Sequence, residues 1–141
     1  MTVEETLNKK LMLSVVAGLK DGNLDPLFAA LHPDIVWTAT APKAFFRFGG
    51  THRGIAGMKE YTALLFSRYS FIAFEPRSVV TSGDQVWGLF AFEARHIPTG
   101  RIVATDISMR WTVKAGKIIA HQGFFDTAGV LMQQGELTAA A

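Results

Sequence analysis

The chain has 141 residues, of which 49% are hydrophobic and 18% charged, and it contains no cysteine. These values predict one globular domain spanning residues 1–141, because a chain of this length buries enough apolar surface to fold without covalent cross-links. The lack of cysteine excludes a disulfide scaffold and a thiolate metal site, and it fits a reducing compartment. No apolar run approaches the ~18 residues of a membrane span, and the N-terminus lacks the apolar core of a signal peptide. We therefore expect a cytoplasmic protein without a membrane partner.

The formal net charge is +2 at pH 7, and the basic residues are scattered singly among acidic ones. Proteins that bind nucleic acid concentrate Lys and Arg on one face, often with interleaved aromatic residues. The four histidines show neither an H-x-H nor an H-E-x-x-H spacing. The sequence thus predicts no nucleic-acid partner and no metal site.

The N-terminal segment predicts an amphipathic helix over residues 3–20. Thr2 and Glu5 have the spacing of a capping box, in which each side chain bonds the backbone N–H of the other residue. Apolar residues then recur at every fourth position, as expected of one helix face. The expected buried stripe is Val3, Leu7, Leu11, Val15 and Leu19.

Two further helices and a strand follow. A short helix is predicted to begin near residues 23–25 and to end at Pro33, and it forms a hairpin with the first helix. Residues 34–40 are β-branched and aromatic and predict a strand. Residues 42–50 then form a loop, and helical spacing returns over residues 54–70.

The rest of the chain predicts antiparallel strands and one short helix. Strands are expected over residues 73–81, 85–96 and 103–113, with a last strand after the turn "KAGK". In the third of these, odd-numbered residues are mostly apolar and even-numbered residues mostly polar, which is typical of a half-buried strand. Asp126 is predicted to cap a final helix that ends before Gly135.

Two apolar segments of the sequence are expected to be buried from solvent. Phe45, Phe46 and Phe48 lie within one loop, and leaving three large aromatic side chains in water is unfavourable. Either they close over a pocket as a lid or they pack on a second subunit. Residues 85–95 are apolar on both faces of their strand, which favours a homodimer through the outer face of the sheet.

The order of elements and three short motifs resemble the SnoaL-like branch of the nuclear transport factor 2-like, or ketosteroid isomerase-like, superfamily. The motifs are "GNLDPLFAALHPDIVW", "THRG" before the third helix, and the ending "GKIIAHQGFFDTAGVLMQQG". This resemblance implies an α+β fold, in which a curved antiparallel sheet forms a cone-shaped barrel around about three helices, followed by a short C-terminal helix. It also implies an apolar pocket inside the cone. Members range from isomerases, epoxide hydrolases, dehydratases and polyketide cyclases to domains without catalysis, so fold alone does not define function.

The positions at which these enzymes carry catalytic acids hold no acidic residue in this sequence. The Arg–Asp pair of the epoxide hydrolases falls on Phe90 and Phe92, and the acid that precedes the "FD" motif of the ending falls on Gly123. The isomerase base would stand near Thr40, and no Asp or Glu occurs in residues 35–51. None of these three mechanisms transfers directly.

His121 remains as the candidate catalytic residue. It shares strand parity with Gly123 and Phe125, which the resemblance places inside the cone, and a neutral imidazole can act as an acid or a base near pH 7. The alternative is that His121 packs in the core with an ordinary hydrogen bond. Asp106 falls on the opposite face of its strand, where cross-strand pairing with Glu93 or Arg95 explains it, and Asp126 is explained as a helix cap.

The sequence therefore predicts a protein that binds a small apolar molecule and, with His121, transforms it by cofactor-free isomerisation, dehydration or cyclisation. The alternative is a non-catalytic ligand-binding or dimerisation module. The residues expected around the ligand are Trp37, Thr38, Thr40, Tyr61, Phe90, Phe92, Thr105, Ile107, Met109, Gly123 and Phe125.

Overall fold

The computed structural model describes residues 1–138, which form an α+β fold of four helices and one curved six-stranded sheet. The helices are α1 (Val3–Lys20), α2 (Asp25–Ala30), α3 (Gly54–Arg68) and α4 (Thr127–Gln133). The strands are β1 (Leu31–Ala39), β2 (Gly50–Arg53), β3 (Tyr69–Ser82), β4 (Gln85–His96), β5 (Ile102–Lys114) and β6 (Lys117–Phe125). The predicted fold class is confirmed.

The strand order is β2-β1-β6-β5-β4-β3, so the sheet curves around the helices but does not close into a barrel. Neighbouring strands are antiparallel except β1 and β6, which are parallel. This pairing places the two sequence-distant strands side by side, with Trp37 opposite His121. The register is the basis of the site described below.

Both helix caps predicted from the sequence are present. The Thr2 hydroxyl accepts from the Glu5 N–H at 3.0 Å, and the Glu5 carboxylate accepts from the Thr2 N–H at 2.8 Å. Asp126 Oδ1 accepts from the Gly129 N–H at 3.0 Å, which starts α4. These bonds satisfy backbone donors that a helix cannot pair internally.

The buried face of α1 differs from the predicted stripe. Val3 and Leu7 are exposed, whereas Met12 and Val16 are buried beside the predicted Val15 and Leu19. The buried residues of α1 are Asn8, Met12, Val15, Val16 and Leu19, and a strict four-residue repeat drifts off this face because one helical turn takes 3.6 residues. Sheet contact, rather than helix periodicity, decides which residues are buried.

The helix-to-strand boundary near Pro33 was also predicted wrongly. Helix α2 ends at Ala30, and Pro33 lies inside β1. The β1–β6 ladder skips from Leu31 to Val36 at an irregularity, and Pro33 falls in this gap. A missing backbone N–H costs no ladder hydrogen bond there. The short strand β2, in the "GTHR" segment, was not predicted because four residues give no periodicity.

Gly88 allows a tight contact in the core between β4 and α1. A Cβ atom at this position would collide with the Phe90 ring and would lie 2.8 Å from the Met12 sulfur. The Phe90 side chain occupies the space above Gly88 and is fully buried. The missing side chain at position 88 is therefore a packing requirement.

We expect Gly88→Ala to lower the free energy of unfolding by about 1–3 kcal/mol, because the added methyl overpacks a filled core. Ser70→Ala, at an exposed position of β3, is the control and should change this free energy by less than about 0.5 kcal/mol. Urea unfolding of both variants measures the difference. Equal stability of Gly88→Ala and the wild type would contradict the packing assignment.

Candidate functional site

A cavity of about 100 Å³ lies between the concave face of the sheet and the helices. Its wall is almost entirely apolar, and all four helices or their flanking loops contribute to it, as do β1, β3, β4, β5 and β6. Most of the residues predicted around the ligand line this cavity. They are Trp37, Tyr61, Phe92, Thr105, Ile107, Met109, Gly123 and Phe125, and the candidate catalytic residue His121 lines it too.

Three predicted residues lie elsewhere. Thr38 points to the other face of β1, where its hydroxyl lies 3.0 Å from that of Thr51. Thr40 is exposed beyond the end of β1, and its backbone N–H donates to the Gly123 carbonyl at 2.9 Å. Phe90 packs over Gly88 against α1 instead of facing the cavity. Thr38 lies outside the cavity because it alternates with Trp37 along β1. Phe90 lies outside it because its ring fills the space above Gly88.

Trp37, His121 and Trp111 form a buried aromatic group at one end of the cavity. Register places them side by side on three neighbouring strands, β1, β6 and β5. The Trp37 and His121 rings stack with centroids 3.6 Å apart and an interplanar angle of 8°. The Trp111 indole N–H donates to His121 Nδ1 at 2.8 Å.

The hydrogen bond from Trp111 fixes the protonation state of His121. An indole N–H can only donate, so His121 Nδ1 must be the acceptor and carries no proton. In a neutral imidazole the single proton then lies on Nε2. His121 is therefore held as the Nε2–H tautomer, which offers a hydrogen-bond donor at its other edge.

Burial keeps this imidazole neutral. Desolvation, assisted by the positive charge of Arg110, lowers the pKa of His121 from 6.5 to about 3. Protonation would also place a second N–H against the Trp111 donor. At neutral pH His121 is thus neither a general base, since its free lone pair is occupied, nor a general acid, since it is not charged.

Gly123 exposes the Nε2 edge of His121 to the cavity. The two residues lie on the same face of β6, and a Cβ atom at position 123 would stand 2.9 Å from Nε2. Nε2 makes no hydrogen bond within residues 1–138. The glycine that replaces an expected acid therefore leaves room for a ligand atom next to the imidazole N–H.

Tyr61, on α3, supplies a second polar group to the same end of the cavity. Its ring lies 5.6 Å from that of Trp37, and burial raises the pKa of the phenol to about 12. The Trp37 indole N–H opposes this rise by lying near the Tyr61 oxygen, but the pair does not reach hydrogen-bond geometry. The buried Trp37 Nε1 atom has no other partner in the described part of the chain.

Two of the three phenylalanines of the aromatic loop line the cavity. Phe46 and Phe48 are buried and line the cavity, where the Phe46 ring meets that of Phe125 edge-on at 5.2 Å. Phe45 is 56% exposed. His52 holds this loop in place, because its Nε2 lies 2.7 Å from the Phe48 carbonyl and donates to it.

The C-terminal helix closes the opposite end of the site. Gln133 bonds both the N–H and the carbonyl of Ala104, at 2.6 and 2.9 Å, beyond the point where β6 stops pairing with β5. The Tyr69 hydroxyl donates to Gln134 Oε1 at 2.6 Å. The sequence predicts α4 but carries no signal for these amide contacts, because each partner is more than 25 residues away along the chain.

Other polar residues do not reach the cavity. Asp106 lies on the outer face as predicted, but its partner is Arg77 at 3.4 Å and not a residue of β4. His96, at the end of β4, is buried and contacts Thr99 at 2.8 Å. Within residues 1–138, no cluster of His, Cys, Asp or Glu is arranged to hold a metal ion. None of the helices described is long and apolar enough to cross a membrane.

Comparison with known proteins identifies relatives of this architecture. The family model for the SnoaL-like domain matches residues 13–121. None of the curated proteins matches this chain in sequence.

Solved structures with the same fold cover nearly the whole chain. TerC, co-crystallized with polyporic acid, is 25% identical with a TM-score of 0.82, and the match covers 92% of this chain and 98% of TerC. An NTF2-like protein of unknown function from Burkholderia pseudomallei is 20% identical, with a TM-score of 0.81 and coverage of 90% and 96%. A ketosteroid isomerase-like protein from Catenulispora acidiphila, in complex with trimethylamine, is 15% identical, with a TM-score of 0.76 and coverage of 89% and 92%.

The depressed pKa of His121 makes stability depend on pH in a defined direction. Between pH 6.5 and about 3 the unfolded chain binds a proton at His121 and the folded chain does not. The contribution of His121 to the free energy of unfolding is therefore complete above pH 6.5 and is lost as pH falls, by about 1.4 kcal/mol per pH unit. We expect His121→Asn, whose amide oxygen can still accept from Trp111, to reduce this slope.

Urea unfolding of the wild type and of His121→Asn between pH 7.5 and 4.5 measures the effect. The difference between the two free energies of unfolding isolates His121, because all other titrating groups are common to both proteins. A difference that does not vary with pH would contradict the buried neutral state.

Proposed function

This chain belongs to the SnoaL-like branch of the nuclear transport factor 2-like superfamily, and we propose that it binds a compact apolar molecule in the cavity beside His121. The observation that carries the proposal is an apolar cavity into which one neutral N–H edge projects. Ligand sites commonly combine an apolar wall with a few placed polar groups. TerC, a similar protein, was co-crystallized with polyporic acid, which supports a small-molecule ligand for this chain too.

The cavity volume sets the size of the ligand. A dry engineered cavity of about 150 Å³ accepts benzene. The cavity of about 100 Å³ in this structure is smaller, which limits the ligand to a molecule no larger than one small ring. Phe46 and Phe48, on the loop that His52 holds, form part of its cover.

The reactions we assign to this site are cofactor-free isomerisation, dehydration or cyclisation. His121 would assist them by donating a hydrogen bond to charge that develops on the substrate, as a preorganised donor in a low-dielectric site. It would not transfer a proton itself, because its other nitrogen is occupied by Trp111. This revises the acid or base role predicted from the sequence.

One observation favours the alternative, a non-catalytic binding module. No carboxylate lies among the described residues that line the cavity, so no general base stands beside His121. Ligand binding is common to both hypotheses and is therefore the function to test first. Substrate turnover then separates them.

We expect small apolar probes such as cyclopentane and benzene to raise the melting temperature, because they bind the folded state alone. At ten times Kd the stabilisation is about 1.4 kcal/mol, which corresponds to about 4 °C. Ala39→Leu, which adds volume at the cavity wall, should abolish the shift. Ala56→Leu makes the same change at an exposed position of α3 and is the matched control.

Differential scanning fluorimetry of the three proteins gives the result. Retention of the shift in Ala39→Leu, or no shift in the wild type with any probe, would contradict binding in this cavity.

We also propose that two copies associate through the outer face of the sheet, as the doubly apolar β4 predicts. Val80, Trp87 and Leu89 lie there on β3 and β4 with 58%, 43% and 38% of their surface exposed. On β5, Asp106 and Arg110 lie on either side of Ser108, the residue that pairs with Leu89. A two-fold axis at this point would bring Arg110 of each copy against Asp106 of the other, so the surface is complementary to itself.

Sedimentation velocity tests this association. We expect a dimer for the wild type and a monomer for Leu89→Arg, which would place two positive charges close to the axis. Ile97→Arg alters a similarly exposed apolar residue in the turn after β4 and should remain dimeric. A monomeric wild type, or a dimeric Leu89→Arg, would count against this interface.

A further inference from the structure

We propose that His96 and Glu136 form an acid-sensitive anchor, which releases residues 134–136 and the end of α4 when His96 gains a proton. The anchor consists of His96, Tyr69, Gln134 and Glu136. It concerns the chain itself, so its test needs no ligand. Failure of the anchor and failure of the proposed ligand binding are therefore separate results.

A turn at Gly135 directs Glu136 toward His96. The Gly135 N–H donates to the Met132 carbonyl at 3.1 Å, and the Glu136 N–H donates to the Leu131 carbonyl at 2.8 Å. These are the two hydrogen bonds of a Schellman motif, and Gly135 has the φ of 80° that such a turn requires. The motif ends α4 and reverses the chain, so that Glu136 Oε1 lies 3.2 Å from His96 Nε2.

Buried hydrogen bonds extend this contact to the cavity wall. Gln134 Nε2 donates to the same Glu136 oxygen at 2.8 Å, and Gln134 Oε1 accepts from the Tyr69 hydroxyl at 2.6 Å. His96 and Gln134 are each only 1% exposed. Tyr69 and Val130, on α4, both line the cavity. Release of this segment would therefore loosen one end of the cavity wall.

His96 is a buried imidazole whose polar contacts are incomplete. Its Nδ1 lies 2.8 Å from the Thr99 hydroxyl. Its Nε2 is close to Glu136 but does not reach hydrogen-bond geometry, so the ring has lost water without a full replacement. The other charged groups nearby are Arg68, at the end of α3, and Arg101, which lies against the turn that follows α4.

These surroundings favour the neutral imidazole. Burial lowers the pKa of His96 below its usual 6.5; Glu136 opposes this effect and the positive charge of Arg68 adds to it. The Tyr69 ring, 5.4 Å from His96, is uncharged, because burial raises its pKa to about 12. Once the segment leaves, His96 regains water and takes up a proton near pH 6.5. The contribution of His96 to the anchored state is therefore complete above pH 6.5 and is lost as pH falls.

Amide hydrogen exchange followed by NMR tests the anchor in the intact chain. The reporters are the N–H groups of Gln134 and Glu136, which bond the Val130 and Leu131 carbonyls at 2.9 and 2.8 Å. We expect their protection factors to fall about tenfold between pH 7.5 and 5.5, the ratio that follows when only the released imidazole titrates near pH 6.5. Amides in the centre of β5 should stay more strongly protected at both pH values, because the rest of the sheet remains folded.

Three variants identify the titrating group. His96→Gln should remove the dependence on pH, whatever its effect on protection itself, because an amide does not titrate. His32→Gln is the matched control and should keep the tenfold fall, since His32 lies near the start of β1 and its Nδ1 accepts from the Asp34 N–H. Glu136→Gln should also keep at least this fall, because it removes the one charge that favours the protonated imidazole.

The opposite sign would overturn the proposal. If protection rises with acid, or if Glu136→Gln loses the dependence on pH, a charged His96–Glu136 pair holds the segment and acid does not release it. An unchanged tenfold fall in His96→Gln assigns the titration to another group. Exchange of Gln134 and Glu136 only together with the β5 amides shows that the segment does not open by itself.

Discussion

The hydrogen bond from the Trp111 indole to His121 Nδ1 determines what the cavity can do, because it settles which nitrogen of the imidazole carries the proton. The stacking of Trp37 on the other side fixes the plane of the ring. Since burial also keeps the imidazole uncharged, His121 presents the same donor over the whole physiological pH range. Every chemical role considered for this residue follows from these three constraints.

The surrounding fold keeps this group in place. Parallel pairing of β1 with β6, and antiparallel pairing of β6 with β5, aligns Trp37, His121 and Trp111 across three strands. Gly123, two residues beyond His121, leaves the free edge uncovered. The aromatic loop and α4 then cover the rest of the cavity, through the His52 and Gln133 side chains. Because these contacts involve backbone atoms, they position whole segments and not only single side chains.

Much of the architecture is visible in local patterns. The alternation along β5, the caps at Thr2 and Asp126, and the extent of β4 reflect short-range rules of backbone geometry. The elements predicted less well have identifiable causes. Pro33 is accommodated inside β1 because the ladder is irregular there, and β2 is too short to show a period. The buried face of α1 depends on which side of the helix the sheet covers, and a strict four-residue repeat does not follow that face.

The candidate site is likewise predictable from the sequence only in part. Strand parity puts His121 on one face of its strand with Gly123 and Phe125, and the family resemblance predicts that this face lies inside the cone and that Asp106 lies outside it. The residue types at the family's acidic positions argue against a borrowed mechanism. The roles of Trp111 and Tyr61 depend on partners from other strands and helices, so only the tertiary structure reveals them. A sequence records which residues can donate or accept a hydrogen bond. Which of them meet, and hence which proton faces the ligand, is decided when strands distant along the chain are brought into register.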